Sequence, residues 1–210
     1  MLHSDLDNFR EIHDPQINQS GILTLLLFHG TGGNENDLIP VAQMICPSAS
    51  ILSPRGKVLE NGMARFFKRH AEGVFGLEDL QFRTTELSIF IKEASRAYSF
   101  NLNNTAAIGF SNGANIAASL LLLNPEVIKS AILYRAIIPI IPKDLPNLKD
   151  KKILLSAGLK DPIVSRDEVI ELSKLFQKCG ATVTLKWQQS GHNLIDSDIT
   201  DANEWFSKIC

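Results

Sequence analysis

Residues 105–123 read TAAIGFSNGANIAASLLLL, and the five in the middle, Gly109-Phe110-Ser111-Asn112-Gly113, decide the fold. Alone, Gly-x-Ser-x-Gly is a degenerate pattern that arises by chance, and its flanks carry the information. Before it runs a short apolar strand, TAAIGF; after it comes ANIAASLLLL, a run compatible with a helix. A chain that passes from strand to helix within a few residues must turn its backbone sharply, and glycines at 109 and 113 remove side chains where that backbone meets its neighbours. Ser111 is then held at the top of a sheet in a strained conformation with its hydroxyl exposed. The Asn112 N–H falls at the start of the helix, where unpaired amides and the macrodipole favour negative charge. A packed strand-to-helix turn with an incidental serine is the plainer alternative.

Outward from this elbow, short apolar runs alternate with longer segments of helical period, the pattern of a mostly parallel sheet with helices on both faces. Strands are expected at residues 22–28, 50–52, 105–110, 130–134, 152–156 and 182–187, with an antiparallel edge strand at 9–12. Leu87, Phe90, Ile91, Ala94 and Ala97 share one face of a helix over residues 80–98. Ser165 and Glu168 have capping-box spacing, opening a helix that buries Val169, Leu172 and Phe176 and stops near Cys179-Gly180. A last helix places Ala202, Trp205, Phe206 and Ile209 on its apolar side, as core anchors. With no repeat or Gly/Ser linker, residues 1–210 are expected to form a single α/β domain. Residues 53–79 resist the scheme, holding PRG, NG, the pair Phe66-Phe67 and the basic residues Arg65, Lys68 and Arg69. So long a connection suggests a lid-like excursion or pocket wall, the alternative being a surface loop that merely packs on the domain.

A serine hydroxyl needs a base to accept its proton. Of five histidines, His3 and His13 lie in the polar N-terminal segment and His70 in the long excursion. His29 ends the strand LLLF, but its glycine-rich continuation suits a structural role. His192, in QQSGHNLID, follows the last strand on a short loop, the end of a parallel sheet where sites gather, and is the best general base. The orienting acid belongs on another strand end, which Asp161 in SAGLKDPIV satisfies, with Pro162 restraining its backbone. Asp196 and Asp198 are rivals, but their place after His192 suits N-capping of the final helix. The chain order Ser111, Asp161, His192 is one of the characteristic triad orders and differs from the orders of trypsin-like and subtilisin-like enzymes.

The strand ILTLLLF runs into His29-Gly30-Thr31-Gly32-Gly33, whose glycines let the backbone approach the elbow and expose its amides. The Thr31 N–H is the expected second oxyanion donor beside that of Asn112. This run lacks the lysine–Ser/Thr ending of a phosphate loop and the Gly-x-Gly-x-x-Gly spacing of a dinucleotide site. No His-Glu-x-x-His or other ligand spacing appears, so neither a metal nor a cofactor is expected.

Composition agrees. The chain of 210 residues is 44% hydrophobic and 21% charged with a formal net charge of -2, too balanced for a nucleic-acid surface. Lys149, Lys151 and Lys152 form the one short basic cluster, suited to a solvated strand entrance. Three scattered cysteines and an acidic, polar N-terminus imply a reducing, cytoplasmic setting without a signal peptide. The longest apolar runs, LLLF and AIIPII, are too short to span a bilayer.

The segments LLLFHGTGGNENDLIP, ILSPRG, NGMARFFKR, EGVFGLEDL, GFSNGANIAASLLL, AGLKDPIV and SGHNL, covering nearly the whole chain from Leu23, resemble the α/β-hydrolase superfamily. The likeness is to its small carboxylesterase/phospholipase-type branch, nearest the bacterial esterases associated with hydroquinone and catechol resistance. Carried over by motif, the family nucleophile falls on Ser111, the acid on Asp161, the base on His192 and the oxyanion donors on Thr31 and Asn112. The resemblance implies an α/β-hydrolase fold without a large cap domain, and a cofactor-free cytosolic esterase, often a homodimer. Gly76 departs from the acidic residue common at that place. Arg135, in YRAIIPI, falls in a segment that shapes the family's substrate cavity, where it would contact substrate or form a structural ion pair. Phe66, Phe67 and Phe75 are expected to wall the pocket or, equally, to anchor the excursion. The expected reaction is hydrolysis of small or short-chain carboxylic esters through an acyl-enzyme. A thioesterase, lysophospholipase or amidase would use the same groups, and a non-catalytic binding module is the remaining alternative.

Overall fold

The computed structural model describes residues 11–13 and 22–208. The described chain begins with β1 (Glu11–His13), β2 (Thr24–Phe28), α1 (Ile39–Ile45) and β3 (Ser50–Pro54). Four short strands follow, β4 (Val58–Glu60), β5 (Met63–Arg65), β6 (Arg69–Ala71) and β7 (Val74–Phe75), leading into α2 (Leu77–Ala97). The remainder is β8 (Thr105–Phe110), α3 (Asn112–Leu123), β9 (Ser130–Tyr134), β10 (Lys152–Gly158), α4 (Arg166–Lys178), β11 (Thr182–Gln188) and α5 (Asp196–Phe206).

Seven strands make the main sheet in the order β1-β3-β2-β8-β9-β10-β11. The six from β3 to β11 are mutually parallel, and β1 pairs antiparallel with β3. The apolar runs of β2, β8 and β9 are buried almost throughout because helices cover both faces of the sheet. Alternation within each strand sorts the side chains. Leu26, Phe28, Ala107, Leu133 and Leu155 pack with α2, α3 and α4, while Leu25, Leu27, Ile108, Ile132 and Leu154 face α1 and α5. Each buried Leu, Ile or Phe contributes about 1.5–3 kcal/mol. This is the α/β-hydrolase architecture, with no large cap among the described residues.

The expected strands are all present, several a residue or two longer or shorter at an end. Of the expected edge strand, Phe9 and Arg10 lie outside the described residues, as does Ile209 of the last helix. α2 begins at Leu77 rather than near residue 80, because its first turn lies off the apolar face (Leu77 is 53% exposed) and carries no hydrophobic signal. Glu78 and Asp79 favour that turn through the helix dipole, and Asp79 Oδ2 accepts from Lys68 N–H at 2.7 Å. α4 has the expected capping box, with Ser165 Oγ accepting from Glu168 N–H and Glu168 Oε2 from Ser165 N–H.

Residues 53–79 are more ordered than a plain loop. β4 pairs with β5 and β6 with β7 as two antiparallel hairpins. Asn61 and Gly62 both have positive φ, 52° and 79°, which suits a tight hairpin turn with the strands' right-handed twist. The first hairpin reaches the loop after β2, where Gly32 N–H donates to Ala64 O at 2.9 Å.

Candidate active site

Ser111 stands between β8 and α3 with φ 52° and ψ -114°, a conformation that side chains rarely adopt. Two backbone bonds hold it there. Its N–H donates to Tyr134 O at 2.9 Å, and its carbonyl accepts the Asn115 N–H at 2.9 Å. Space explains the glycine two residues on: a Cβ at Gly113 would lie 1.8 Å from Phe28 O, so α3 can cross β2 this closely only with glycine there.

Asp161 and His192 arrive from neighbouring strand ends, after β10 and β11. His192 Nε2 lies 2.8 Å from Ser111 Oγ, and His192 Nδ1 lies 2.8 Å from Asp161 Oδ2. The other carboxylate oxygen of Asp161 accepts from Ile163 N–H at 2.8 Å and Val164 N–H at 3.0 Å. These bonds fix the acid's direction. A carboxylate that only accepts places the imidazole proton on Nδ1, leaving Nε2 as the acceptor facing the serine. The Asp161 side chain is 1% exposed and that of His192 20%, so the acid is dry while the imidazole reaches the cavity. Gly158 is the second glycine dictated by space. A Cβ there would fall 2.2 Å from Gly191 O, within the loop that carries His192.

His29 has a different task. Its Nδ1–H donates to Gly30 O at 2.7 Å and its Nε2 accepts from Gly56 N–H at 3.0 Å, so both nitrogens are engaged. Burial pushes its pKa below the usual histidine value, against opposing contributions from the Gly30 carbonyl and nearby carboxylates. Asp198 is likewise removed from the base: it is buried and faces Arg135, while Asp196 is exposed at the start of α5.

Thr31 and Asn112 flank the serine. The Asn112 N–H begins α3 and has no carbonyl one turn back to bond. On the loop after β2, the Gly32 and Gly33 amides are engaged by Ala64 O and Gly30 O, which leaves Thr31 as the amide to consider. Both residues border the cavity over Ser111, a small space of about 50 Å³.

Two of the four expected pocket residues, Phe75 and Arg135, border the cavity, and the other two take the anchoring alternative. Phe75 borders the cavity, but Phe66 and Phe67 are buried in the core and do not. Phe66 packs edge-on against Phe28 at 5.6 Å, and Phe67 backs Phe75 from behind at 5.0 Å. Arg135 also borders the cavity, but its side chain is fully buried and its guanidinium is engaged inside the protein. Its Nη1 and Nη2 donate to the Asp198 carboxylate at 2.9 and 2.6 Å. Further bonds run to Ser190 Oγ and to the carbonyls of Ser156, Gly191 and Asn193, two of which flank His192. The ion-pair alternative for Arg135 therefore describes its contacts. Ile137, Ile163 and Val164 also border the cavity, and sequence reading missed them. The one available signal for the last two was their position just after Asp161-Pro162.

Residues 11–210 match the family model described as phospholipase/carboxylesterase. MhqD of Bacillus subtilis strain 168, described as a hydrolase, is 46% identical over 184 residues, covering 88% of this chain and 92% of that protein. A carboxylesterase of Bacillus cereus is 46% identical with a TM-score of 0.93, over 96% of this chain and 95% of that one. A carboxylesterase from Mesorhizobium loti is 28% identical with a TM-score of 0.86, over 95% of this chain and 93% of that one. With its six-stranded parallel sheet covered by helices on both faces, the chain belongs to the phospholipase/carboxylesterase family of α/β-hydrolases and is a carboxylic ester hydrolase.

Proposed function

We propose that this hydrolase is a serine carboxylesterase for small, short-chain esters, working through Ser111, His192 and Asp161. The supporting observation is the unbroken hydrogen-bonded line from Ser111 Oγ through the imidazole to Asp161, 2.8 Å at each step. His192 Nε2 takes the Ser111 proton as Oγ bonds to the ester carbonyl carbon. Asp161 holds the Nδ1–H and stabilises the imidazolium that forms. The Asn112 and Thr31 amides receive the developing oxyanion. Collapse of the tetrahedral adduct breaks the bond to the alkoxide, which leaves with the proton from His192. Water then gives a proton to His192, attacks the acyl-serine, and releases the acid with Ser111 reprotonated.

The small cavity supports the choice of short acyl groups. Its volume of about 50 Å³, at roughly 10–15 Å³ for each water on such a measure, holds a few water-sized groups beside Ser111. A homodimer and a cytoplasmic location belong to the same reading, with the exposed Ile141, 68% accessible, as one apolar side chain open to a second copy. Light scattering at assay concentration tests the dimer, and a monomer mass removes it.

Turnover across a chromogenic ester series of increasing acyl length, with matched thioesters, amides and a lysophospholipid, tests the substrate class. The proposal expects kcat/KM to peak at short acyl esters and Ser111→Ala to abolish it. A maximum on long acyl chains, or on thioesters or amides, transfers the same machinery to another substrate.

A further inference from the structure

The two amides offered to the oxyanion stand on separate segments, the loop after β2 and the start of α3, so their separation must be set by something that touches both. Three consecutive residues at the end of β5 do so. Ala64 O accepts from Gly32 N–H at 2.9 Å, Arg65 Nη1 donates to Thr31 Oγ1 at 2.7 Å, and Phe66 N–H donates to Asn112 Oδ1 at 2.8 Å.

Arg65 is the only one of the three that acts through its side chain, and that side chain is itself firmly held. The residue is 2% exposed, its Nε lies 3.1 Å from Glu60 Oε2 and 3.3 Å from Phe67 O, and its guanidinium faces the Phe67 ring at 5.9 Å. Thr31, by contrast, sits between Gly30 and Gly32 on a backbone that has many alternatives open to it; Gly32 already uses one of them, with φ 80°. An oxyanion donor is effective only within about 2.7–3.1 Å of the oxygen it serves. A tether on the Thr31 side chain narrows where its amide points.

We propose that Arg65 is a positioning residue for acyl transfer: through the Thr31 hydroxyl it sets the Thr31 amide at working distance from that of Asn112. The proposal rests on the serine carboxylesterase reading. A misplaced oxyanion donor weakens the transition state more than the bound ester, so the effect belongs in kcat rather than KM.

The test compares Thr31→Val, Arg65→Met and the double variant on a short-chain ester, with each rate normalised to active sites titrated by a phosphonate. Thr31→Val removes the tether while keeping the backbone amide and the Arg65 charge. Each single variant should lose about tenfold in kcat with KM moving less than about twofold. Affinity for a boronic acid that forms a tetrahedral adduct on Ser111 should fall by the same factor as kcat. Because both substitutions break one bond, the double variant should be no slower than about the slower single, and Arg65→Lys should recover part of the loss. An unchanged kcat in Thr31→Val overturns the proposal. So do multiplied losses of about a hundredfold in the double variant, or a deficit that disappears on active-site normalisation. Failure of the underlying reading looks different, since the unaltered protein would then neither turn over ester nor titrate at Ser111.

Discussion

Replacing Asp198 by asparagine should strip the molecule of a large part of its stability and slow the reaction, although Asp198 touches none of the reacting groups. Its carboxylate and the Arg135 guanidinium are both fully buried and meet in a two-pronged contact of 2.9 and 2.6 Å. Asp198→Asn keeps the shape and removes one charge, leaving Arg135 uncompensated in the interior. Breaking one side of a buried pair in this way costs about 3–5 kcal/mol, a substantial share of the roughly 5–15 kcal/mol that holds a domain folded. At about 2–4 °C per kcal/mol for a chain of this size, Tm should fall by roughly 6–20 °C. Arg135 also donates to Gly191 O at 3.2 Å and Asn193 O at 2.7 Å, on either side of His192, so kcat should drop as that loop loosens. Thermal melts and kcat per titrated site measure the two effects separately. Arg135→Met/Asp198→Leu removes both charges and should recover part of the lost Tm, but not kcat, since both loop carbonyls then lose their donor. An Asp198→Asn protein melting within about 2 °C of the unaltered one, or a double variant with kcat fully restored, would rule out this role for the pair.

Asp161→Asn should lower kcat by roughly 10⁴-fold through the wrong imidazole tautomer, with KM little changed; steady-state kinetics check it, and a loss below tenfold counts against the assignment. Gly158→Ala places a Cβ 2.2 Å from Gly191 O, and the forced shift of the His192 loop should reduce kcat on the order of 100-fold. An intact rate in that variant would mean that the loop yields freely. His29 gives the stability a pH dependence, because burial holds its folded pKa below the ordinary 6.5. Below that pH the unfolded chain binds a proton that the folded chain refuses, so this stabilisation is complete above 6.5 and is lost as pH falls toward the folded value. The limiting slope is about 1.4 kcal/mol per pH unit. Melts from pH 7.5 to 5 should show a fall in Tm that is shallower in His29→Gln, and equal slopes would assign the acid sensitivity elsewhere.

Much of the fold can be read from the chain because its central strands and its elbow are dictated by local rules. TAAIGF cannot expose either face and so demands helices above and below it, and Gly113 marks the place where α3 meets the Phe28 carbonyl. The meeting of Asp161 and His192 beside Ser111 is legible for a related reason: parallel strands end on one side of a sheet, and only a few polar residues stand at those ends. What escapes depends on side-chain direction across long sequence separations. Nothing local to Arg135 says that its guanidinium turns inward to Asp198, 63 residues away, although the expected capping role of Asp198 is real, with Oδ2 accepting from Ile195 N–H at 3.0 Å. The aromatic pair Phe66-Phe67 has the composition of a pocket wall, yet both rings point into the core, and only Phe75 reaches the cavity. Strands as short as β4 to β7 give too few residues for a period of two to emerge, so residues 53–79 read as a loop. The seven residues of α1 are similarly too few to display a helical period.

Covalent trapping shows which residue attacks the ester. The protein is incubated with an activated phosphonate ester, its intact mass is measured, and the adduct is located by peptide sequencing. One adduct per chain is expected, on Ser111, formed in step with loss of esterase activity, much slower in His192→Ala and absent in Ser111→Ala. Labelling of a different residue, or full ester turnover by the Ser111→Ala protein, would rule Ser111 out as the nucleophile.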